Sequence, residues 1–459
     1  PGKGGDVTIM TFTFAAPPPG PDQNPAWTAI NKELNANVKV PIIAQADYTT
    51  KLQTTIASGS LPDVMLISYV GSAIENQPQF LDAQAADLTP FLSGDAIKAY
   101  PNLANIPTYS WKSAVSNGKI MLLPIHQGGG GFSCLPNYEL LEPFGKTTFK
   151  SADDFLQAGK DFTQAGKRWF IGGSAIAWFP NVFRVPNQWR VGSDGKLTKD
   201  YETDEYKAMV TYLRQMWDAG IWYPDTPTMN LVQGSAAWDG GKYAIWFGGF
   251  GNYQNAWHNA LQQDPNFKAH LMVPFPADGQ GKAVQEFGNG TYALLALKKA
   301  PDDRIKELLG ILNYLAAPFG SQEANLIKYG VKDVDYTLDA KGNPQPTKQG
   351  QTDTSVPWRN IEWSPDYLYD ATNPEFTQNT SKELSQIFAL GQFSPTLGLY
   401  SASDFSKGAQ LRQKVTDGVN SIMFGREPVS SYDALVKDWR TNGGDQIRTE
   451  YEKALQAAK

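Results

Sequence analysis

The histidines and the single cysteine are the side chains of this sequence best suited to metal or nucleophile chemistry. His126, His258 and His270 are scattered along 459 residues, and none lies at metal-ligand spacing from another candidate ligand. Cys134 stands alone, so the chain can form no internal disulfide and no cysteine-rich zinc site. No Gly-x-Ser-x-Gly nucleophile motif is present. These residues predict no metal site, no cofactor and no serine or cysteine nucleophile.

The carboxylates leave one enzymatic alternative open. Asp and Glu together number 46, and glycoside hydrolysis needs only two carboxyl groups at a suitable separation in space. A sequence does not reveal that separation. A glycoside hydrolase that uses an unidentified carboxylate pair therefore stays open as one possible function.

The tryptophans point to carbohydrate. Trp217 and Trp439 lie on helical apolar stripes and are predicted to pack in cores. Other tryptophans lie in or beside segments rich in Gly, Pro, Asn and Arg: Trp27, Trp178, Trp246, Trp358 and Trp363. An aromatic face covers the apolar side of a pyranose while amides and guanidinium groups bind its hydroxyls. Packing within its own domain is the alternative role for each of these rings.

Charge and composition exclude several classes of protein. The net charge is −6 and no basic stripe is present, which argues against a nucleic-acid partner. Apolar runs reach about six residues, far from the ~18 that a membrane-spanning helix needs. Aromatic residues make up 12% of the chain, which excludes intrinsic disorder.

The elements that must position these side chains alternate between strand and helix. The first 67 residues predict a strand at 7–12, a helix at 26–34, a strand at 38–43, a helix at 51–57 and a strand at 64–67. Such alternation predicts a parallel sheet with right-handed crossovers, and hence the α/β class.

Later segments repeat this pattern in type. Helices are predicted after the cap residue Ser151, over 206–217 and 305–315, and near 435–439, and strands over 120–125, 243–247, 271–275 and 292–297. The glycine tract 128–131 fits no phosphate-binding motif. Two interpretations stay open for it: a flexible loop, or a hinge at a crossing point between domains.

Seven segments resemble one protein family. Residues 47–65 read DYTTKLQTTIASGSLPDVM, which resembles the Y..KL…ASG..PDV signature of family 1 extracellular solute-binding proteins, the receptors of bacterial sugar ABC transporters. Six more segments resemble family elements in the family's order: 87–92, 118–124, 137–141, 148–155, 240–245 and 443–455. The tract 353–374 matches no family pattern, and Pro1–Gly5 resembles the start of a mature chain after removal of a leader.

The resemblance implies a fold and a function. The fold would be α/β, a two-lobe periplasmic-binding-protein-like (type II) fold with a hinge and an interlobe cleft. One lobe would comprise residues 1–126 plus 290–350, and the other 127–289 plus 351–459. A monomer would capture a neutral oligosaccharide, with xylan- and glucan-derived sugars among the candidates, and deliver it to ABC permease subunits in the membrane. It would be no enzyme, and it would lie on the extracellular face of the membrane, lipid-anchored, or in the periplasm. An adhesion or structural lectin is a further alternative.

Family topology places the ligand contacts in loops at the carboxyl ends of strands. The ligand-binding residues predicted on this basis are Ser68, Tyr69, His126, Gln127, Trp178, Asn181, Arg184, Phe250, Asn252, Tyr253, Phe287, Asn289, Trp358 and Arg359. We expect Trp178 to form a stacking platform, with core packing as its alternative. A structural ion pair is the alternative for Arg184, and a satisfied hinge histidine is the alternative for His126.

Overall fold

The computed structural model describes residues 1–13, 17–69, 74, 76–126, 132–249, 253, 257, 260–261, 267–268, 270–288, 290–358 and 374–457, with the backbone alone at 68, 69, 132, 249 and 374. The chain divides into two compact units. The first unit comprises Pro1–Gly128 and Asn289–Asp366, and the second comprises Gly129–Gly288 and Tyr367–Lys459. The sequence prediction placed these boundaries after residues 126, 289 and 350. Residues 351–358 pack with the first unit, where the Trp358 ring contacts Trp27 at a centroid distance of 5.9 Å.

The strands of the described chain are short, apart from three in the sheet interiors. They are β1 (Asp6–Thr13), β2 (Asn37–Lys39), β3 (Ile42–Ala44), β4 (Val64–Tyr69), β5 (Val115–Ser116), β6 (Lys119–Ile120), β7 (Leu123–His126), β8 (Phe132–Pro136), β9 (Trp169–Gly173), β10 (Trp189–Val191), β11 (Leu197–Lys199), β12 (Tyr243–Gly249), β13 (Gln285–Glu286), β14 (Thr291–Leu297), β15 (Tyr336–Leu338), β16 (Pro344–Pro346) and β17 (Gly391–Gln392).

The helices carry most of the remaining regular structure. They are α1 (Pro25–Leu34), α2 (Gln45–Ser58), α3 (Gln77–Gln84), α4 (Thr89–Leu92), α5 (Pro101–Ala104), α6 (Thr108–Trp111), α7 (Tyr138–Leu141), α8 (Ala152–Phe162), α9 (Phe179–Phe183), α10 (Asp204–Asp218), α11 (Leu231–Asp239), α12 (Asp302–Leu315), α13 (Gln322–Tyr329), α14 (Lys348–Asp353), α15 (Pro374–Phe388), α16 (Ala409–Met423), α17 (Tyr432–Trp439) and α18 (Asp445–Ala457). No helix in the described part of the chain has the length and apolar character needed to cross a membrane.

The first unit is built around one mixed sheet in the order β2-β1-β4-β14-β7. Strands β2, β3 and β4 all pair with β1 in parallel, as the alternating pattern predicts. The predicted strand 38–43 forms as two strands, β2 and β3, separated by Val40 and Pro41, and Pro41 has no N–H to donate to the sheet. Strand β14 is antiparallel to both of its neighbours, β4 and β7.

The segment 47–65, which carries the family signature, connects α2 to this sheet. The Tyr48 hydroxyl donates to the carbonyl oxygens of Met10 (3.2 Å) and Leu66 (2.7 Å), which lie on β1 and β4. Gly59 ends α2 at φ 71°, a conformation that favours glycine. The Asp63 carboxylate accepts from the Thr8 N–H at 2.9 Å. Tyr48 and Asp63 therefore attach the helix and the following strand to β1, and Gly59 provides the helix end between them.

The second unit contains the sheet β8-β12-β9, in which β12 is antiparallel to β8 and parallel to β9. Helices pack on this sheet through buried aromatic rings, including Phe155 of α8 and Tyr212 of α10. The prediction that Ser151 caps α8 is confirmed, because its Oγ accepts from the Asp154 N–H at 3.2 Å.

The predicted strand 271–275 is wrong. The Leu271 N–H donates to the Glu383 carboxylate at 2.7 Å, and the Met272 N–H donates to the Cys134 carbonyl at 2.9 Å. This apolar run is extended and buried, but a side chain and a single backbone bond take the place of a strand partner.

The Tyr48 contacts generate a prediction about the first unit. In Tyr48→Phe the carbonyls of Met10 and Leu66 lose a donor in a buried position, which costs about 1–3 kcal/mol of unfolding free energy. Urea unfolding followed by circular dichroism measures this loss. Tyr336→Phe is the matched control, since the Tyr336 hydroxyl bonds to none of the described residues. Equal stability of the two variants would contradict the role given to Tyr48.

Candidate functional site

A polar cavity of about 430 Å³ lies within the second unit. It is formed by the turn at 175–177, α9, the loop 185–188 and the segment 285–288, with Thr416 of α16 closing one side. The lining side chains are Ile176, Ala177, Pro180, Asn181, Val185, Asn187, Gln188, Asp200, Tyr206, Gln285, Glu286 and Phe287, together with Gly288 and Thr416. We call this space the polar cavity. It contains two of the predicted ligand-binding residues, Asn181 and Phe287.

Two buried asparagines hold the wall of the polar cavity in place. The Asn181 Oδ1 accepts from the Glu286 N–H at 2.7 Å, which joins α9 to β13. The Asn187 Nδ2 donates to the carbonyl oxygens of Phe287 (2.6 Å) and Gln392 (2.7 Å). These bonds fix the backbone of the segment 285–288. The Phe287 ring is partly buried and contacts Phe393 at a centroid distance of 5.0 Å.

An ion pair lies behind this wall. The Lys199 Nζ contacts the Asp200 Oδ1 at 2.7 Å, with side-chain exposures of only 7% and 13%. The ammonium also donates to the Gln188 carbonyl at 3.0 Å and lies 4.3 Å from the centroid of the Tyr201 ring. Burial nevertheless raises the pKa of the Asp200 carboxyl.

Glu286 is the electrostatically unusual residue of the polar cavity. Removal from water raises the pKa of its carboxyl to about 8, and the neighbouring Asp200 carboxylate adds to the increase while Lys199 opposes it. The Glu286 carboxyl oxygens accept no hydrogen bond from the described residues. At neutral pH the group is therefore largely a neutral acid, which can both donate and accept a hydrogen bond.

A second cavity of about 250 Å³ adjoins the polar cavity and shares Ile176 and Thr416 with it. Trp246, 1% exposed, lines this space, and its Nε1–H has no partner among the described residues. The Thr226 hydroxyl on the same wall is likewise unpartnered. The second cavity therefore offers a donor and a hydroxyl group to a small polar guest.

A third depression of about 620 Å³ near the C-terminal helices is less suited to a ligand. Four of its charged side chains pair with one another: Lys207 contacts Asp433 at 2.8 Å and Arg440 contacts Asp445 at 3.2 Å.

The structure favours the core-packing alternative for Trp178. Its ring is 1% exposed and lies within 5.3 to 5.9 Å of the rings of Phe179, Phe247 and Phe275. The 3₁₀ turn Ala175–Ala177 precedes it and directs the indole into the unit, so no face is open to a sugar.

Arg184 forms a structural ion pair, which is the alternative to its predicted role as a ligand contact. Its guanidinium makes two hydrogen bonds of 3.0 Å to the Asp278 carboxylate, and its Nε donates to the Lys282 carbonyl at 2.9 Å. The guanidinium keeps the pKa of the Asp278 carboxyl below its usual range.

His126 is fully buried in the first unit. The Ser110 Oγ lies 2.9 Å from the His126 Nδ1 and donates its proton to the Gly290 carbonyl at 2.6 Å. Because that hydroxyl proton is committed to Gly290, Nδ1 is the protonated nitrogen. This geometry favours the satisfied hinge histidine over a ligand contact.

The other predicted residues are not brought together at the polar cavity. Trp358 is 2% exposed in the core of the first unit, and Tyr253 is fully buried in the second unit against Phe376. Ser68 and Tyr69 end β4, where the structure describes only their backbone. Five predicted ligand residues and the predicted hinge tract lie outside the described residues: Gln127, Phe250, Asn252, Asn289, Arg359 and 128–131.

Sequence reasoning missed Asn187, Asp200 and Glu286. Glu286 immediately precedes the predicted Phe287, so the topological argument came within one residue of it. The burial that gives this carboxyl its character arises from elements far apart in the sequence. Among the described residues, no group of three or more His, Cys, Asp or Glu side chains could hold a metal ion.

Burial of Trp178 generates a stability prediction. Trp178→Ala removes a ring from a close-packed aromatic cluster, and we expect the free energy of unfolding to fall by about 3–5 kcal/mol. Denaturant unfolding followed by fluorescence measures this, with Val232→Ala at a 79% exposed position as the control. Unchanged stability together with lost sugar binding would restore the platform interpretation.

The raised pKa of Glu286 predicts a stability that depends on pH. Below its ordinary pKa of 4.5 the carboxyl is protonated in both the folded and the unfolded chain. Between 4.5 and about 8 only the unfolded chain releases the proton, so the free energy of unfolding falls as the pH rises. We therefore expect Glu286→Gln and the wild type to have the same melting temperature at pH 4.5. At pH 8.5 the variant should melt at a higher temperature, by about 2–4 °C for each kcal/mol of unfolding free energy that the substitution restores.

The control for this comparison is Glu427→Gln, which changes an exposed carboxyl of the second unit. A melting difference for Glu286→Gln that is the same at both pH values would contradict the assignment. Scanning calorimetry provides the measurement.

Comparison with known proteins identifies the family to which this chain belongs. The model of the family described as bacterial extracellular solute-binding protein matches residues 26–331. The chain is 24% identical over 467 residues to the polygalacturonan/rhamnogalacturonan-binding protein YtcQ of Bacillus subtilis, covering 96% of this chain and 89% of that one. It is 22% identical over 495 residues to the lipoprotein LipO of the same species, covering 100% and 94%.

Solved structures show the same fold. An HMO-binding solute-binding protein associated with an ABC transporter of Bifidobacterium longum infantis superposes with a TM-score of 0.71 at 15% identity, covering 99% of both chains. This confirms the predicted α/β, periplasmic-binding-protein-like class. The family match confirms the resemblance read from the sequence and makes this protein a binding protein rather than an enzyme. The chain belongs to the bacterial extracellular solute-binding protein family.

Proposed function

We propose that this protein is the receptor of an ABC importer and captures a neutral oligosaccharide. The proposal rests on the polar cavity, whose lining combines amide side chains with an aromatic ring in a chain of the solute-binding protein family. Asn181, Asn187, Gln188 and Gln285 surround the space, and Phe287 borders it. Amides bind sugar hydroxyls and an aromatic face covers the apolar side of a pyranose, so this lining suits a carbohydrate.

Several finer points belong to the same proposal. Xylan- and glucan-derived oligosaccharides are the candidate ligands. Membrane permease subunits are the partners, and the protein acts as a monomer on the extracellular side. Similarity to the lipoprotein LipO supports a lipid anchor. The hinge closure implied by the family resemblance would couple sugar binding to recognition by the permease.

One relative favours a second class of ligand. YtcQ is named for polygalacturonan and rhamnogalacturonan, which contain galacturonate units that carry a negative charge. An acidic pectic oligosaccharide is therefore the second candidate. Its anionic carboxylates distinguish it from the neutral sugars of the first candidate.

A thermal-shift screen tests the proposal. A ligand that binds only the folded protein raises the melting temperature, and a concentration of 100 times the Kd adds about 2.7 kcal/mol of stability. We expect xylo- and gluco-oligosaccharides to raise it, and we expect EDTA to leave that increase unchanged. Failure of every neutral and acidic oligosaccharide to shift the melting temperature would contradict a carbohydrate receptor.

Small-angle scattering tests the closure. The radius of gyration should fall when the ligand found in the screen is added. A radius that stays constant at saturating ligand would contradict hinge closure and favour a lectin that binds without moving.

A further inference from the structure

The polar cavity carries an unbalanced set of ionisable side chains. Two carboxyl groups, those of Asp200 and Glu286, line it, and its described lining contains no Lys, Arg or His side chain. A binding space for an anionic sugar would place a free cation within reach of the ligand carboxylate.

Lys199 and Arg184, which adjoin the lining residues Asp200 and Val185 in the sequence, are both engaged in other ion pairs. Lys199 holds Asp200 at 2.7 Å and the Gln188 carbonyl at 3.0 Å, with 7% of its side chain exposed. The Arg184 guanidinium is held by both oxygens of Asp278. Releasing Lys199 for a ligand would leave the buried Asp200 carboxylate without its partner, which is a costly exchange.

We propose that the polar cavity accepts uncharged sugar units and excludes uronate units, and that Glu286 is the residue that sets this selection. The inference rests on the proposed function and specifies its substrate class. The amide and aromatic side chains of the lining suit charged and uncharged sugars alike, and the inference states which of the two the polar cavity selects.

The physical reason lies in the two states of the Glu286 carboxyl. As a neutral acid it donates to or accepts from a sugar hydroxyl, and as a carboxylate it accepts from that hydroxyl. Either state suits a neutral sugar. A uronate carboxylate brought into the same space loses water and finds no uncommitted cation, because Lys199 is already paired with Asp200. When Glu286 is ionised its charge adds direct repulsion, so binding of the uronate is opposed most strongly in that state.

The groups that face Glu286 set the pH at which this opposition increases. They are Asp200, which raises the pKa of Glu286, Lys199, which lowers it, and the Tyr206 phenol, whose own pKa is raised mainly by burial. The pKa of Glu286 is about 8, so the carboxylate form grows as the pH rises from 6 to 9. Discrimination against uronates should therefore increase over that interval.

Isothermal titration calorimetry with matched ligands tests the inference. The neutral probes are xylotetraose and cellotetraose, and the anionic probes are tetragalacturonate and a xylotriose carrying one glucuronate. For each anionic probe we expect weaker binding than for the neutral ones. We also expect the ratio of its Kd to the neutral Kd to rise roughly tenfold from pH 6 to pH 9, which is equivalent to one unit of pKa.

Two variants assign the effect to Glu286. Glu286→Gln keeps the shape of the side chain, and in it the Kd ratio should be smaller and constant with pH. Glu427→Gln, at an exposed position, should retain the wild-type ratio. The pH series on the wild-type protein tests the charge effect independently of whether the Glu286 variant folds.

The remaining outcomes separate this inference from the proposed function. If the anionic probes bind the wild type as tightly as the neutral ones, the charge selection is overturned and the proposed oligosaccharide receptor still stands. A Kd ratio that Glu286→Gln leaves unchanged overturns the role of Glu286. Absence of binding by every neutral and anionic probe overturns the proposed function and, with it, the inference.

Discussion

The position of one strand determines how this chain is organised. Strand β14 lies inside the first unit's sheet, between β4 and β7, although all three strands of the second unit's sheet β8-β12-β9 precede it in the sequence. The chain leaves the first unit after β7 and re-enters it just before β14. These two strands are hydrogen-bonded neighbours, with Thr291 opposite His126. The buried Ser110 hydroxyl bonds to Gly290 and contacts His126, so one side chain holds both crossing strands where they leave the sheet.

The same crossing explains where the polar cavity lies in the sequence. Glu286 and Phe287 belong to the last residues of the second unit before the chain returns to the first. Their backbone is fixed by the Asn181 and Asn187 side chains, whose buried amides would be costly to leave unpaired.

Local patterns predicted the elements of this fold well, and non-local packing decided the rest. Strand β1, helix α10 and the Ser151 cap follow from periodicity and capping chemistry within a few residues. The run 271–275 has the composition of a strand, but the Glu383 carboxylate occupies its backbone donor from more than a hundred residues away. Composition also does not determine the direction of a side chain, which is why a tryptophan beside Pro180 and Asn181 was expected at the surface and lies in the core. The pKa of Glu286 is raised by partial burial against segments distant in the sequence and by the neighbouring Asp200, and no pattern near residue 286 records either cause.

The interior position of β14 has a consequence for biosynthesis. Domains generally fold in order as the ribosome releases them. Here β4 and β7 emerge early but have no strand to join them until residues 291–297 have been made, after all three strands of the second unit's sheet β8-β12-β9. The second unit in turn waits for its C-terminal helices, which follow residue 366. The nascent chain therefore carries an open sheet edge on β4 for much of its synthesis, and such edges invite pairing with other chains. Completion of both units is a late, long-range event, which makes this architecture slow to fold and dependent on protection of that edge until β14 arrives.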